Sequence, residues 1–255
     1  MTRFNDRTVV ITGGGGGIGT AVCTSFAAEG AKVAVLDRDE SAASATAQAI
    51  TEAGGTAIAI GCDITERPSV DTGIARVHSE LGNIDVLVNN AGWDLFVPFV
   101  DTQPEDWSRL IDINLIGALH MHHAVLPAMI ENGGGRIINV SSDAARVGSS
   151  GEAVYAACKA GLVALSKTLA REHSRHNITF NVVCPGPTDT ALLATVTDAA
   201  ANPEKLREAF RRSIPLGRLG QPEDLSGAIM FFASDAASFV TGQVISVSGG
   251  LTMAG

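Results

Sequence analysis

The 255-residue chain carries 45% hydrophobic residues, 28 glycines and a formal net charge of −9. That length and glycine content fit one large α/β domain, expected over 1–255, with a covered core and many tight turns. The acidic balance repels nucleic acid and anionic membrane surfaces, so neither is an expected partner.

In chain order, short β-branched runs alternate with longer Ala-rich segments of helical period. "TVVIT" at 8–12 predicts a strand followed by a helix to Glu29, "KVAVLD" a strand followed by a helix to Ala53, and "TAIAIGCD" a third strand. "IDVLVNN", "GRIINVSS", "ITFNVVCPG" and "QVISVSGG" continue the series, with helical segments between. Strands that are continuously apolar and joined by helices imply a parallel sheet covered on both faces. The predicted fold is a single-domain, Rossmann-type, doubly wound α/β sheet of seven strands. An irregular stretch from Pro185 to about Gly220, broken by a charged helix around 201–212, predicts a lid at about 187–220 over the ligand-binding edge.

Cys23, Cys62, Cys158 and Cys184 are far apart and form no C-x-x-C pair, which argues against a disulfide framework and a structural zinc site. The start "MTRFNDRTVVIT" runs into a strand without a cleavage signal, and no apolar run approaches the ~20 residues that span a bilayer. The expected compartment is the cytoplasm. His120 and His123 in "HMHH" share a helix face but lack an evident third ligand, so no metal is expected.

Three motifs carry chemistry. "TGGGGGIG" lies between the first strand and the first helix, where Gly13 permits a tight turn, Gly17 a close backbone approach and Gly19 close helix packing. Helix N-terminal amides left free there suit a pyrophosphate. Asp37 ends the second strand about 20 residues on, where a carboxylate binds ribose hydroxyls and repels a 2′-phosphate; the expected cofactor is NAD, with Arg38 beside it the one counter-indication. Tyr155, the single tyrosine, stands four residues before Lys159, which places both on one face of a helix.

Thr12-Gly13-x-x-x-Gly17-Ile18-Gly19, Asp63, Asn89-Asn90-Ala91-Gly92, Asn114, Ser142, Tyr155-x-x-x-Lys159 and Pro185-Gly186 occur in the order and spacing of the short-chain dehydrogenase/reductase family, which the chain resembles over essentially its whole length. The resemblance implies a catalytic set of Asn114, Ser142, Tyr155 and Lys159. Tyr155 would take or give the proton of a secondary alcohol, and Ser142, preferred to Ser141, would bind the substrate oxygen. Asn114 would perturb its helix and hold a water leading from Lys159. The Lys159 ammonium is expected to favour the Tyr155 phenolate, a shift of ~3 pH units being worth about 4 kcal/mol. Cofactor contacts are expected from Thr12, Gly13, Gly17, Ile18, Gly19, Asp37, Asp63, Ile64, Asn90, Ala91, Gly92, Tyr155, Lys159, Pro185, Gly186, Thr188 and Thr190. The resemblance also implies a homotetramer, with the His120–His123 helix and the C-terminal strand and tail at subunit contacts.

Substrate identity rests on fewer signals. Trp93 could wall a pocket for a ring, Arg146 could grip a carboxylate, carbonyl or phosphate, and the lid cations, Lys205 and Arg207 among them, could take a coenzyme A phosphate. With "SSDAARVGSSGEAVYAACKAG" and "VVCPGPTDTALL", the chain is especially similar to dehydrogenases of 2-hydroxycyclohexanecarboxyl-CoA. The leading expectation is NAD-dependent oxidation of a ring β-hydroxyacyl-CoA. A free aryl or alicyclic secondary alcohol, or a 3-oxoacyl thioester reduced in reverse, are the enzyme alternatives. A cofactor-sensing binding protein is the non-enzyme alternative, and it predicts a damaged catalytic set.

Overall fold

The computed structural model describes residues 2–198 and 202–254. The chain opens with β1 (Thr8–Thr12), α1 (Gly17–Ala28), β2 (Lys32–Asp37), α2 (Glu40–Glu52), β3 (Thr56–Gly61), α3 (Arg67–Leu81) and β4 (Ile84–Asn89). It continues through α4 (Pro104–Ile111), α5 (Gly117–Glu131), β5 (Gly135–Val140), the single turn α6 (Ala144–Val147), α7 (Ala153–His173) and β6 (Ile178–Pro185). The lid contains α8 (Ala191–Asp198) and α9 (Pro203–Ser213), and α10 (Pro222–Ala233) leads to β7 (Val244–Val247).

The strands pair in parallel in the order β3-β2-β1-β4-β5-β6-β7, so the seven-stranded, doubly wound sheet expected from the sequence is present. Alternation along each strand feeds two cores. Val9 and Ile11 of β1 pack with Val22 and Phe26 of α1 and Leu225 and Ile229 of α10. Val10 faces the other side, in a core with Ile74 of α3, Met121 and Val125 of α5, and Phe180 of β6. Burial on both faces explains why the central strands are predominantly apolar. The order in which strands are added reverses between β1 and β4, which opens a crevice at the carboxyl ends of these parallel strands.

The four thiols are free and buried, as their scattered spacing predicts. Two continuous helical stretches, Pro104–Glu131 and Ala153–His176, are long and apolar enough by composition to cross a bilayer, beyond the sequence expectation; here they carry Asn114, Tyr155 and Lys159 and pack in the fold.

Candidate active site

A cavity of about 690 Å3 runs along the carboxyl ends of the strands, from Asp37 and Arg38 at one end to Trp93, Glu152 and the lid residue Phe210 at the other. Gly13, Gly17, Ile18, Asp63, Ile64, Asn90, Ala91, Gly92, Ser142, Tyr155, Lys159, Pro185, Gly186, Thr188 and Thr190 line it between. With Asp37, these are residues that the sequence singled out on seven separate segments, brought to one crevice by the strand order.

At the phosphate-binding end, Gly13 and Gly17 take left-handed φ values of 63° and 51°, which turn the chain from β1 into α1. The α1 N-terminus has no side-chain cap and no acidic residue in its first turn, so its amides are open to an anion. A Cβ on Gly16 would meet nothing within 4 Å. The Asp37 carboxylate is fixed beside this loop by the Gly15 and Asp39 amides, each 3.0 Å away. The open cradle and the carboxylate beside it fit a nicotinamide dinucleotide. Thr12 and Gly19 do not line the cavity. The Thr12 hydroxyl accepts the Asn90 and Ala91 amides, both at 3.1 Å, and so staples β1 to the end of β4; a Cβ on Gly19 would stand 1.9 Å from the Gly13 carbonyl oxygen. Both shape the loop from behind.

At the catalytic end, one helical turn of α7 places Tyr155 and Lys159 together, with the Lys159 Nζ 5.6 Å from the Tyr155 ring centroid. Lys159 is buried and donates to the Val140 carbonyl at 3.1 Å; burial pulls its ammonium down to about 8. The Ser142 hydroxyl lies beside Tyr155, where it favours the phenolate, and accepts the Ala144 amide at 3.1 Å. Ser141 instead donates to the Lys159 carbonyl at 2.9 Å and is buried, which separates the two serines as the family spacing does. Asn114 sits behind the wall, 1% exposed, in a π-helical turn at Asp112–Ile116. Its amide donates to the carbonyls of Leu110 (2.9 Å) and Trp93 (2.7 Å), and its oxygen accepts the Trp93 N–H at 3.2 Å. The perturbed helix expected at Asn114 is therefore present. A Cβ on Gly92 would lie 3.1 Å from both the Asn114 oxygen and the Lys159 Nζ, so any larger residue there would press on both groups.

One expectation reverses. Burial foremost, then the charges of Asp94 and Glu152, push the Tyr155 phenol above its ordinary value and outweigh any pull from Lys159. Asp94, 8% exposed, hydrogen-bonds to Glu152, and burial together with that neighbour raises its carboxyl well above the usual range. The sequence reading missed both acids, although Asp94 is the one charge in the apolar run from Trp93 to Val100. It also missed Arg109, whose guanidinium stacks 3.9 Å over Trp93, and Phe96. Trp93 does line the cavity, as expected of a ring-binding wall.

The basic substrate contacts are corrected. Arg146 lies outside the lining and donates to the Ser246 hydroxyl at 2.9 Å and to the Ala254 carbonyl. Arg207 pairs with Asp189 at 3.3 Å, Arg211 and Arg212 both reach Glu208 at 2.7 Å, and Arg218 pairs with Asp224 at 2.6 Å. Lys205 and Arg207 do not line the cavity, and Lys205 is exposed. The lid's carboxylates stand close enough to satisfy its arginines, which composition alone does not reveal. Among the described residues no cluster of His, Cys, Asp and Glu could hold a metal; His120 and His123 turn to the Ile64 carbonyl and to Arg67.

The family profile described as enoyl-(acyl carrier protein) reductase matches residues 14–252. An acetoacetyl-CoA reductase of Rhizobium meliloti is 39% identical over 96% of this chain and 98% of its own length. A 3-oxoacyl-[acyl-carrier-protein] reductase of Thermotoga maritima is 38% identical over 98% of this chain and 100% of its own. The crystal structure of a short-chain type dehydrogenase/reductase from Mycobacterium marinum superposes with a TM-score of 0.93, at 34% identity over 99% of this chain and 98% of that one. With the glycine loop, the Tyr155–Lys159 pair and the sheet order in place, the chain belongs to the short-chain dehydrogenase/reductase family of nicotinamide-dependent oxidoreductases.

Proposed function

We propose that this protein is an NAD-dependent dehydrogenase interconverting a secondary alcohol and its ketone, with a ring β-hydroxyacyl-CoA such as 2-hydroxycyclohexanecarboxyl-CoA as substrate. The carrying observation is one cavity with Ser142, Tyr155 and Lys159 at one end and Asp37 at the other. The nicotinamide supplies the hydride acceptor when bound. Lys159 and Tyr155 flank its site, Ser142 orients the substrate oxygen, and Tyr155 takes the hydroxyl proton in oxidation or returns it in reduction. Asp37 would meet the adenosine ribose and oppose a 2′-phosphate.

The thioester reading draws on relatives named for acetoacetyl-CoA and 3-oxoacyl carrier-protein substrates and on apolar walls at Trp93, Phe96, Val147 and Leu192. The Asp94–Glu152 pair beside Tyr155 adds negative charge that disfavours a free carboxylate substrate. The paired lid arginines favour the second reading, a free aryl or alicyclic alcohol. NADH formation with 2-hydroxycyclohexanecarboxyl-CoA, its free acid and cyclohexanol separates the two. Preference for the thioester supports the first, and preference for cyclohexanol overturns it. The same reading includes a homotetramer, supported by exposed apolar side chains at Phe99, Phe239 and Met253, and light scattering of the purified protein tests it.

A further inference from the structure

Arg146 leaves the substrate but reaches a segment that touches the cavity. Its guanidinium donates to Ser246 on β7, whose hydroxyl in turn donates to Asp143, and to the carbonyl of Ala254 near the chain end. Asp143 follows Ser142 and is anchored by its amide to the Pro185 carbonyl at 2.9 Å. The tail held at Ala254 includes Leu251 and Thr252, which line the cavity, and the buried Thr252 hydroxyl has no protein partner. The tail meets the lid as well, because the Leu216 amide donates to the Gly249 carbonyl at 3.0 Å.

We propose that Arg146 is a positioning residue that sets substrate selectivity by fixing the C-terminal segment Leu251–Ala254 as a wall of the cavity. One guanidinium thus ties the turn carrying Ser142 to the tail and, through it, to the base of the lid. A planar fork holds two donors on separate acceptors in a fixed geometry, which the compact ammonium of a lysine does not reproduce. Arg146 itself bonds to Ser246 and Ala254 and not to the glycine loop, Tyr155 or Lys159, so cofactor affinity and the proton-transfer step are expected to stay near wild type when the clasp is cut. The inference goes beyond the proposed substrate and holds for any alcohol the site accepts.

The test compares wild type, Arg146→Ala, Arg146→Lys and a chain shortened by residues 253–255, which keeps Arg146 and its Ser246 bond. Steady-state constants are measured with cyclohexanol and with 2-hydroxycyclohexanecarboxyl-CoA, alongside NAD affinity and the rate at which carboxypeptidase releases the terminal residues from wild type and the two Arg146 variants. In Arg146→Ala, KM for the better substrate rises about tenfold, as expected for a lost pocket wall, with kcat and NAD affinity near wild type and faster terminal release. The shortened chain shows the same KM rise, combining it with Arg146→Ala adds nothing further, and Arg146→Lys falls between. An unchanged KM in Arg146→Ala, or additive effects of the two changes, overturns the proposal. If neither alcohol is turned over, terminal release decides: a rate unchanged by Arg146→Ala overturns the clasp itself, while the failed turnover counts against the proposed substrate alone.

Discussion

Tyr155 is set by its surroundings to hold its proton. It is buried, and Asp94 and Glu152 place negative charge beside it, so the protein's own groups favour the phenol that donates to a ketone. Oxidation needs the phenolate, and its rate is therefore expected to rise as pH increases. Replacing Asp94 by Asn removes part of the opposing charge, so the rise in kcat/KM for oxidation moves to lower pH; an unmoved profile would show that the pair does not act on Tyr155. The same variant tests stability linkage. The folded Asp94 carboxyl lies above its unfolded value, so its contribution is full below about pH 4 and is lost as pH rises through the raised value. Asp94→Asn should thus lose less thermal stability than wild type on going from pH 4 to 8, measured as Tm in matched buffers. Neither acid could be paired from the sequence, because they lie 58 positions apart and only the meeting of the post-β4 segment with the α7 N-terminus joins them. The Tyr155–Lys159 pair was legible because helical period alone puts i and i+4 together.

The π-helical turn between α4 and α5 lets Asn114 clasp both backbone polar groups of Trp93. Asn114→Leu would leave those buried groups unpaired, costing about 1–3 kcal/mol, and would shift the Trp93 wall. A fall in Tm together with a loss of kcat larger than the loss of NAD affinity is expected; wild-type kcat would contradict the positioning of Asn114 beside Lys159. On the lid, α9 is bound to its own chain by Arg207–Asp189 and by the two arginines on Glu208, whose carboxyl they hold down at about 2. Arg212→Gln, at an exposed side chain outside the lining, should change KM for a CoA thioester by less than about twofold, as for an ordinary surface substitution. A rise of tenfold would restore the idea of a cationic lid. Helix α9 itself was legible from its charged, periodic sequence. Its charge state was not, since the partners of Arg207 and Arg218, Asp189 and Asp224, lie outside that helix.

At the scale of the molecule, the sheet was readable because burial on both faces keeps strands such as β1, β2 and β4 largely apolar, and the phosphate-binding end because a glycine loop between a strand and a helix is a local pattern. Arg146 was misread because sequence proximity to Ser142 does not give direction, and its acceptors lie 100 and 108 residues away. Cofactor choice is a property of the whole crevice, with Asp37 at the end opposite Tyr155. Asp37→Ser should weaken NAD and admit NADP, measured as the ratio of kcat/KM for the two cofactors. The most direct test of the account is NAD reduction by Tyr155→Phe beside wild type, with NAD affinity measured on both. The account predicts that kcat falls by roughly 10²–10⁴, the span of general acid–base catalysis, while NAD binds as before. Turnover by Tyr155→Phe at the wild-type rate would contradict it.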